Sequence, residues 1–133
     1  KDYVRCIQDC NKCVQTLIER VHFNKDKPEN MNVYISSIKG NYIMIYKDDQ
    51  WQITDRKETL EDMYDHNEFH LETWYDEYKE KYPKIIKSFQ RYLKNKEESD
   101  AINDVKNDIL LMLYNKRKMV STNHDVERIK NEA

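Results

Sequence analysis

Residues 21–54 read VHFNKDKPENMNVYISSIKGNYIMIYKDDQWQIT and hold nearly all of the strand-forming signal in the chain. β-Branched and aromatic residues dominate residues 32–38 and 42–46, and residues 51–54 form a third, shorter run of the same kind. Polar turns separate the three runs, and Gly40 in the first turn is free to take a positive φ. The stretch predicts a three-stranded antiparallel meander.

The sequence on either side of this meander has the period of amphipathic helices. One helix is predicted over residues 2–22, and three or four follow, with Asp55 and Ser99 as candidate N-caps and a possible break near residues 65–67. A small sheet needs helices against one face. The predicted fold is therefore α+β: an N-terminal helix, a three-stranded antiparallel β-meander, then three or four packed α-helices.

The predicted core faces of the later helices consist of Leu60, Met63, Tyr64, Asn67, Leu71, Trp74, Tyr78, Ile85, Ile86, Phe89, Tyr92, Leu93, Ile102, Val105, Ile109, Met112 and Leu113. The run ILLMLY, residues 109–114, is apolar nearly all round, which predicts a central and deeply buried helix. Residues 1–120 are predicted to form one α+β domain, and residues 121–133 a polar tail, with a frayed helix as the alternative.

The overall charge gives no general attraction to nucleic acid or membrane. The chain has 133 residues, with 23 basic and 25 acidic side chains and a net charge of −2. A charged partner would therefore need a local patch. No apolar run approaches the length of a transmembrane helix, so no membrane partner is predicted.

Three cysteines lie close together in CIQDCNKC, residues 6–13. Their spacing matches that of a radical-SAM cluster loop, and it also places the thiols on the apolar face of a helix. Packing is the favoured interpretation, because free cysteine is a common small buried hydrophobe, with a zinc site as the alternative. The odd number does not indicate a disulfide framework and suits a reducing compartment.

Other candidate metal or catalytic groups are weaker. His66 and His70 have the i, i+4 spacing that can hold zinc, although a solvated pair is the commoner outcome. An acidic stripe beside them could suggest a metal-dependent nuclease, and it consists of Glu61, Asp65, Glu68, Glu72 and Asp76. His22 with its asparagines could suggest an HNH nuclease, but no second histidine follows at that motif's spacing. No catalytic residue, metal site or cofactor is predicted.

Two groups of basic residues are candidates for nucleic-acid binding. Lys84, Lys87, Arg91 and Lys94 fall together on the side of a helix opposite its apolar face. Lys116, Arg117 and Lys118 close the last strong helix, where they suit its dipole and could form a basic knob. Both groups could contact phosphates, with a solvated face as the alternative.

The connector HFNKDKPENMN, residues 22–32, is rich in side chains that bond to backbone. It is predicted to be a structural clasp in which Asn and Glu side chains satisfy backbone groups between helix and strand, and the alternative is a solvent-facing recognition surface. The residues of the predicted clasp are His22, Asn24, Pro28, Glu29, Asn30 and Asn32.

The segments HFNKDKPENMNVYI (22–35), IYKDDQW (45–51) and LLMLYNKR (110–117) resemble an uncharacterised family of proteins from giant nucleocytoplasmic large DNA viruses. The matching residues are His22, Phe23, Asn24, Lys27, Pro28, Glu29, Asn30, Asn32, Tyr34, Ile35, Trp51, Leu113, Tyr114 and Asn115. Proteins of that family often carry an N-terminal C2H2-type zinc finger, which this chain lacks. The resemblance implies a viral protein of the host cytoplasm or viral factory, and it carries over no catalytic residue.

The sequence is consistent with three classes of function. The first is a non-enzymatic binding module whose partner is nucleic acid or a nucleic-acid-bound protein. The second is a protein-interaction or oligomerisation domain without nucleic-acid contact, and a homo-oligomer falls in this class. The third, a metal-dependent nuclease-like enzyme, is the least favoured because no nucleophile–base pair or phosphate-binding glycine loop is visible.

Overall fold

The computed structural model describes residues 2–98 and 100–120. Its elements are helices α1 (Asp2–Gln8), α2 (Cys13–His22), α3 (Arg56–Tyr78), α4 (Lys84–Glu98) and α5 (Ala101–Asn115), strands β1 (Val33–Tyr34), β2 (Tyr42–Lys47) and β3 (Gln50–Asp55), and 3₁₀ turns at Cys10–Lys12 and Pro28–Asn30. The strands form one antiparallel sheet in the order β1-β2-β3. The predicted α+β class is confirmed. Ser99 and the predicted tail at 121–133 lie outside the described residues.

The first strand is shorter than its sequence predicts. Only Val33 and Tyr34 pair with β2, and the expectation of a strand over residues 32–38 is wrong beyond that point. The backbone N–H of Ile35 donates instead to the carbonyl of Leu113 in α5, at 3.4 Å. The chain therefore leaves the sheet at the position where its backbone turns to the last helix.

The tight turn of the sheet lies between β2 and β3. Its two central residues, Asp48 and Asp49, have φ values of 54° and 63°, which is the pattern of a type I′ hairpin turn. Gly40, which is free to take a positive φ, does not take one. The connection around Gly40 closes with a hydrogen bond from its N–H to the Ser37 carbonyl, and this longer loop requires no left-handed residue.

The predicted single helix over residues 2–22 is wrong, because the chain breaks at Cys10. Cys10 has a φ of 56°, and a 3₁₀ turn separates α1 from α2. The break lets α1 pack against α4 while α2 packs against α3. Local periodicity cannot reveal it, since the apolar spacing continues through the turn.

Helix α3 is continuous, so the possible break near residues 65–67 does not occur. Asp55 caps its first turn, as predicted, by accepting a hydrogen bond from the Glu58 N–H at 2.9 Å. Asn67 is 5 % exposed, and its side-chain amide donates to the Met63 carbonyl one turn earlier, at 2.8 Å. The helix accommodates this polar residue because its own backbone provides the partner.

Several residues of the predicted core faces are exposed instead. Tyr78 and Leu93 are exposed, and Tyr75 occupies the interior, where its ring stacks on Phe89 at 4.3 Å between centroids. Leu111 is also exposed, so α5 is buried along one side rather than all round. The described helices include none that is long and apolar enough to cross a membrane.

A buried polar network joins α3 to α4. The hydroxyls of Tyr64 and Tyr92 lie 2.7 Å apart, and the Tyr92 hydroxyl also donates to Glu68. The Lys96 ammonium approaches both oxygens of Glu68, at 2.7 and 2.8 Å. Burial raises the pKa of both tyrosines, so both hydroxyls stay protonated and can donate. Glu68, one of the residues of the acidic stripe, is thus held in this network by a hydrogen bond and an ion pair.

Candidate functional site

Two cavities meet where α2, α3 and the inner face of the sheet come together. The larger, about 450 Å³, lies between the sheet and α3, and the smaller, about 270 Å³, lies between α2 and α3. His22, His66 and Asn67 line both. We call these two cavities the histidine cleft. It is the site where polar side chains from distant parts of the chain converge.

His22, the last residue of α2, is held by the connector that follows it. Its Nδ1 lies 2.9 Å from the carbonyl oxygen of Asn30 and 3.0 Å from the side-chain oxygen of Asn32. A carbonyl can only accept, so Nδ1 carries the proton and donates. In the neutral ring the lone pair is therefore on Nε2.

The environment of His22 keeps the imidazole neutral. Burial is the main cause, because desolvation disfavours the charged ring, and it lowers the pKa of His22 below its usual 6.5. The hydrogen bonds to Asn30 and Asn32 oppose this shift, and the charge of nearby His66 adds to it.

Acidification should therefore destabilise the protein through His22. From about pH 6.5 down to the lowered pKa of the folded state, the unfolded chain binds a proton that the native ring does not. Stability should fall in that window by up to about 1.4 kcal/mol per pH unit. The check is denaturant unfolding across pH 5–8 for wild type and His22→Gln, whose amide can still donate to Asn30. Identical pH profiles for the two proteins would contradict this role.

The remaining residues of the predicted clasp behave differently from one another. The Asn24 side chain accepts from the Asp26 N–H at 2.9 Å, and Pro28 opens the 3₁₀ turn. Asn30 contributes its backbone carbonyl, and its side chain makes no hydrogen bond within the described part of the chain. Glu29 is exposed. The prediction that the Asn30 and Glu29 side chains form hydrogen bonds with the backbone is thus wrong. The Asn24 side chain does form one, with the Asp26 N–H.

His66 and His70 stand one turn apart at the mouth of the cleft. Both are exposed, their Nε2 atoms lie 3.1 Å apart, and the rings meet edge to face with centroids 4.5 Å apart. Residues 2–98 and 100–120 include no group of three or more His, Cys, Asp or Glu side chains placed to hold a metal ion.

The cysteines lie away from this cleft. Cys6 and Cys13 are fully buried, and burial raises the pKa of the Cys13 thiol, which stays protonated. Cys10 is half-buried, with its sulfur 3.7 Å from the Ser88 carbonyl in α4. All three are free thiols. Two of them therefore fill the core, as the packing interpretation expects.

The four basic residues Lys84, Lys87, Arg91 and Lys94 are all exposed on α4 and form what we call the basic face. No ion pair or hydrogen bond joins any of these side chains to another described residue. Residues 81–96 contain no acidic residue. Of the four residues, only Lys94 has acidic neighbours on α4, because Glu97 and Glu98 follow it at three and four residues. The positive charge of Lys84, Lys87 and Arg91 is therefore not offset by an acid of the same helix.

The second basic group is partly engaged within the protein. Lys116 lies 3.6 Å from Glu19 and over the ring of Phe23, and it is half-buried. Arg117 donates to the Tyr114 carbonyl at 2.8 Å, and its guanidinium lies over the Tyr114 ring. Lys118 is exposed. Of the predicted basic knob, only Lys118 has no described partner.

Sequence reasoning paired His66 with His70 but did not bring His22 together with them. No periodic signal could have done so, because their proximity depends on how α2 packs against α3. Comparisons with protein-family models, with curated proteins and with solved structures found no match. The resemblance to the giant-virus family stays a prediction.

Proposed function

We propose that this protein is a non-enzymatic binding module that contacts the phosphate backbone of nucleic acid through the basic face of α4. The observation that carries the proposal is the set of four exposed cations with no described partner, in a stretch, residues 81–96, that contains no acidic residue. Exposed lysines and arginines of this kind bind phosphates without reading base sequence.

The size of the basic face suits a short backbone contact. Lys84 and Lys94 are ten residues apart, or about 15 Å along an α-helix. Duplex DNA carries about one charge per 1.7 Å of axis, so each of the four side chains has phosphates within reach. Binding through this face should be weak and sequence-independent. On the resemblance to the giant-virus family, the proposal extends to a viral protein of the host cytoplasm or viral factory.

The test is a salt titration of affinity for a short labelled DNA duplex. Four phosphate contacts predict a slope of roughly −3.6 in a plot of log K against log salt concentration. Affinity should thus fall by about 150-fold between 50 and 200 mM salt. Fluorescence anisotropy with duplexes of unrelated sequence gives the measurement. No binding at 50 mM salt, or a slope near zero, would refute the proposal.

The second candidate, a protein-interaction or oligomerisation domain, is favoured by the outer face of the sheet. Ile53 is 68 % exposed and Tyr42 is 60 % exposed, and both lie on this face. Trp51 lies there too, with the rings of Tyr34 and Tyr46 packed edge-on against it at 4.8 and 5.2 Å. Sedimentation that depends on protein concentration, together with no binding to DNA, would favour this candidate.

A further inference from the structure

We propose that His66 and His70 form a binding site for a divalent transition-metal ion, with two imidazole ligands and the other coordination positions open to the histidine cleft. Neither the amino-acid pattern alone nor the proposed binding of nucleic acid requires this site. The two histidines are one turn apart on α3, which is continuous from Arg56 to Tyr78. Their backbone spacing is thus fixed by the helix.

The separation of the two ring nitrogens matches what a metal ion needs. The Nε2 atoms are 3.1 Å apart. Two imidazole nitrogens at about 2.0–2.1 Å from one tetrahedral zinc ion are roughly 3.3 Å apart. A metal ion can therefore replace the hydrogen between the two nitrogens, with a shift of a few tenths of an ångström. The displaced proton moves to Nδ1 of the same ring, so both imidazoles coordinate in the neutral form.

The surroundings favour a cation at this point. Helix α3 contains eight acidic residues and two basic ones. Asp62, one turn before His66, lines the larger cavity with it. Neutral imidazole prefers zinc, copper and nickel to magnesium or calcium. The ligand class is therefore a first-row transition metal rather than an anion or a hard cation.

The cleft leaves room for the rest of the coordination shell. Since a water molecule takes about 30 Å³, the smaller cavity of about 270 Å³ can hold several beside the ion. The described residues supply no third ligand in place. The site is therefore open, and the metal ion in it can exchange. Removal of the ion should leave the fold intact, unlike removal of zinc from a closed structural site.

The test uses the tag-free full chain, stripped with a chelator and titrated with zinc chloride in a non-coordinating buffer by calorimetry. One equivalent should bind. His66→Gln and His70→Gln should each weaken affinity at least as much as the roughly 10–100-fold that loss of an outer-shell partner costs. Magnesium chloride should give no signal. Far-UV circular dichroism of the metal-free variants checks that both fold, which their exposed positions lead us to expect.

Two control variants keep the test specific. His124→Gln removes an imidazole that is not among the described residues of the cleft lining, and Cys10→Ser removes the one thiol that is not fully buried. Both should bind zinc with wild-type affinity. The proposal is overturned if zinc does not bind, if the His66 and His70 variants bind it as tightly as wild type, or if either control loses affinity to the same extent. Zinc-dependent shifts of the His66 and His70 imidazole signals that exceed the shift of the His22 signal would support it independently.

Discussion

Reversing two charges of the basic face, by the double substitution Lys87→Glu and Arg91→Glu, should lower affinity for duplex DNA by about 200-fold at 50 mM salt. Each phosphate contact contributes about 0.9 log units of affinity per log unit of salt concentration, and the double variant loses two. Counted from about 1 M salt, where this contribution vanishes, two contacts are worth about 2.3 log units at 50 mM. Anisotropy titrations of both proteins under identical conditions measure the difference. The repulsion that the new carboxylates add makes this figure a lower bound.

The loss should have two signatures of backbone contact. The salt slope of the variant should fall from roughly −3.6 to roughly −1.8, since two contacts remain. Binding should weaken by the same factor for duplexes of unrelated sequence, because phosphate contacts carry no base information. A loss confined to one sequence would indicate base recognition instead and would contradict the proposed mode of binding.

A matched control separates this local effect from the change in net charge. Lys39 and Lys57 are exposed, lie outside α4, and have no ion pair with any residue in the described ranges. The double substitution Lys39→Glu and Lys57→Glu changes the net charge by the same amount. It should reduce affinity far less than the substitutions in α4. Equal loss in both variants would show that the overall field, and not the basic face, determines binding.

The sequence predicts those parts of the fold whose signals are local. The cap at Asp55 depends on one side chain and an N–H three residues away, and it forms as predicted. The strands β2 and β3 follow from runs of β-branched and aromatic residues, and their turn at Asp48 and Asp49 from a polar break between them. Such features need no knowledge of tertiary contacts.

The features that sequence reasoning missed depend on packing between distant elements. The break at Cys10 has no local signal, and it allows α1 and α2 to face different helices. The early end of β1 follows from the bond of Ile35 to the carbonyl of Leu113. Tyr75 rather than Tyr78 is buried because Phe89 of α4 lies opposite it. Each outcome is decided by a partner far away in the chain.

The same distinction between local signals and tertiary packing applies to the candidate site. Helical spacing alone placed Lys84, Lys87, Arg91 and Lys94 on one exposed side of α4, and the structure has them there. The histidine cleft could not be predicted, because it exists only where α2, α3 and the sheet meet. The connector illustrates both cases. Its many side chains that can bond to backbone are evident from the sequence. The hydrogen bonds that His22 makes to Asn30 and Asn32 are not.

His22→Ala should lower the free energy of unfolding by about 2–4 kcal/mol, because it leaves two partly buried hydrogen-bond partners unsatisfied at about 1–3 kcal/mol each, with some rescue by water. Those partners are the Asn30 carbonyl and the Asn32 side chain. The loss corresponds to a decrease of roughly 10 °C in Tm for a chain of this size. Thermal and urea unfolding above pH 7, where the ring is neutral, give the measurement.

Variants at the two asparagines show whether the clasp acts through the contacts described. Asn32→Ala removes one of the two bonds to His22 and should cost about 1 kcal/mol. Asn30→Ala keeps the carbonyl that accepts from His22 and should stay within about 0.5 kcal/mol of wild type. The double variant of His22 and Asn32 should show a coupling of at least about 0.5 kcal/mol, because the two side chains are in contact. If His22→Ala is as stable as wild type but no longer binds its partner, the connector is a recognition surface. The prediction of a structural clasp would then be wrong.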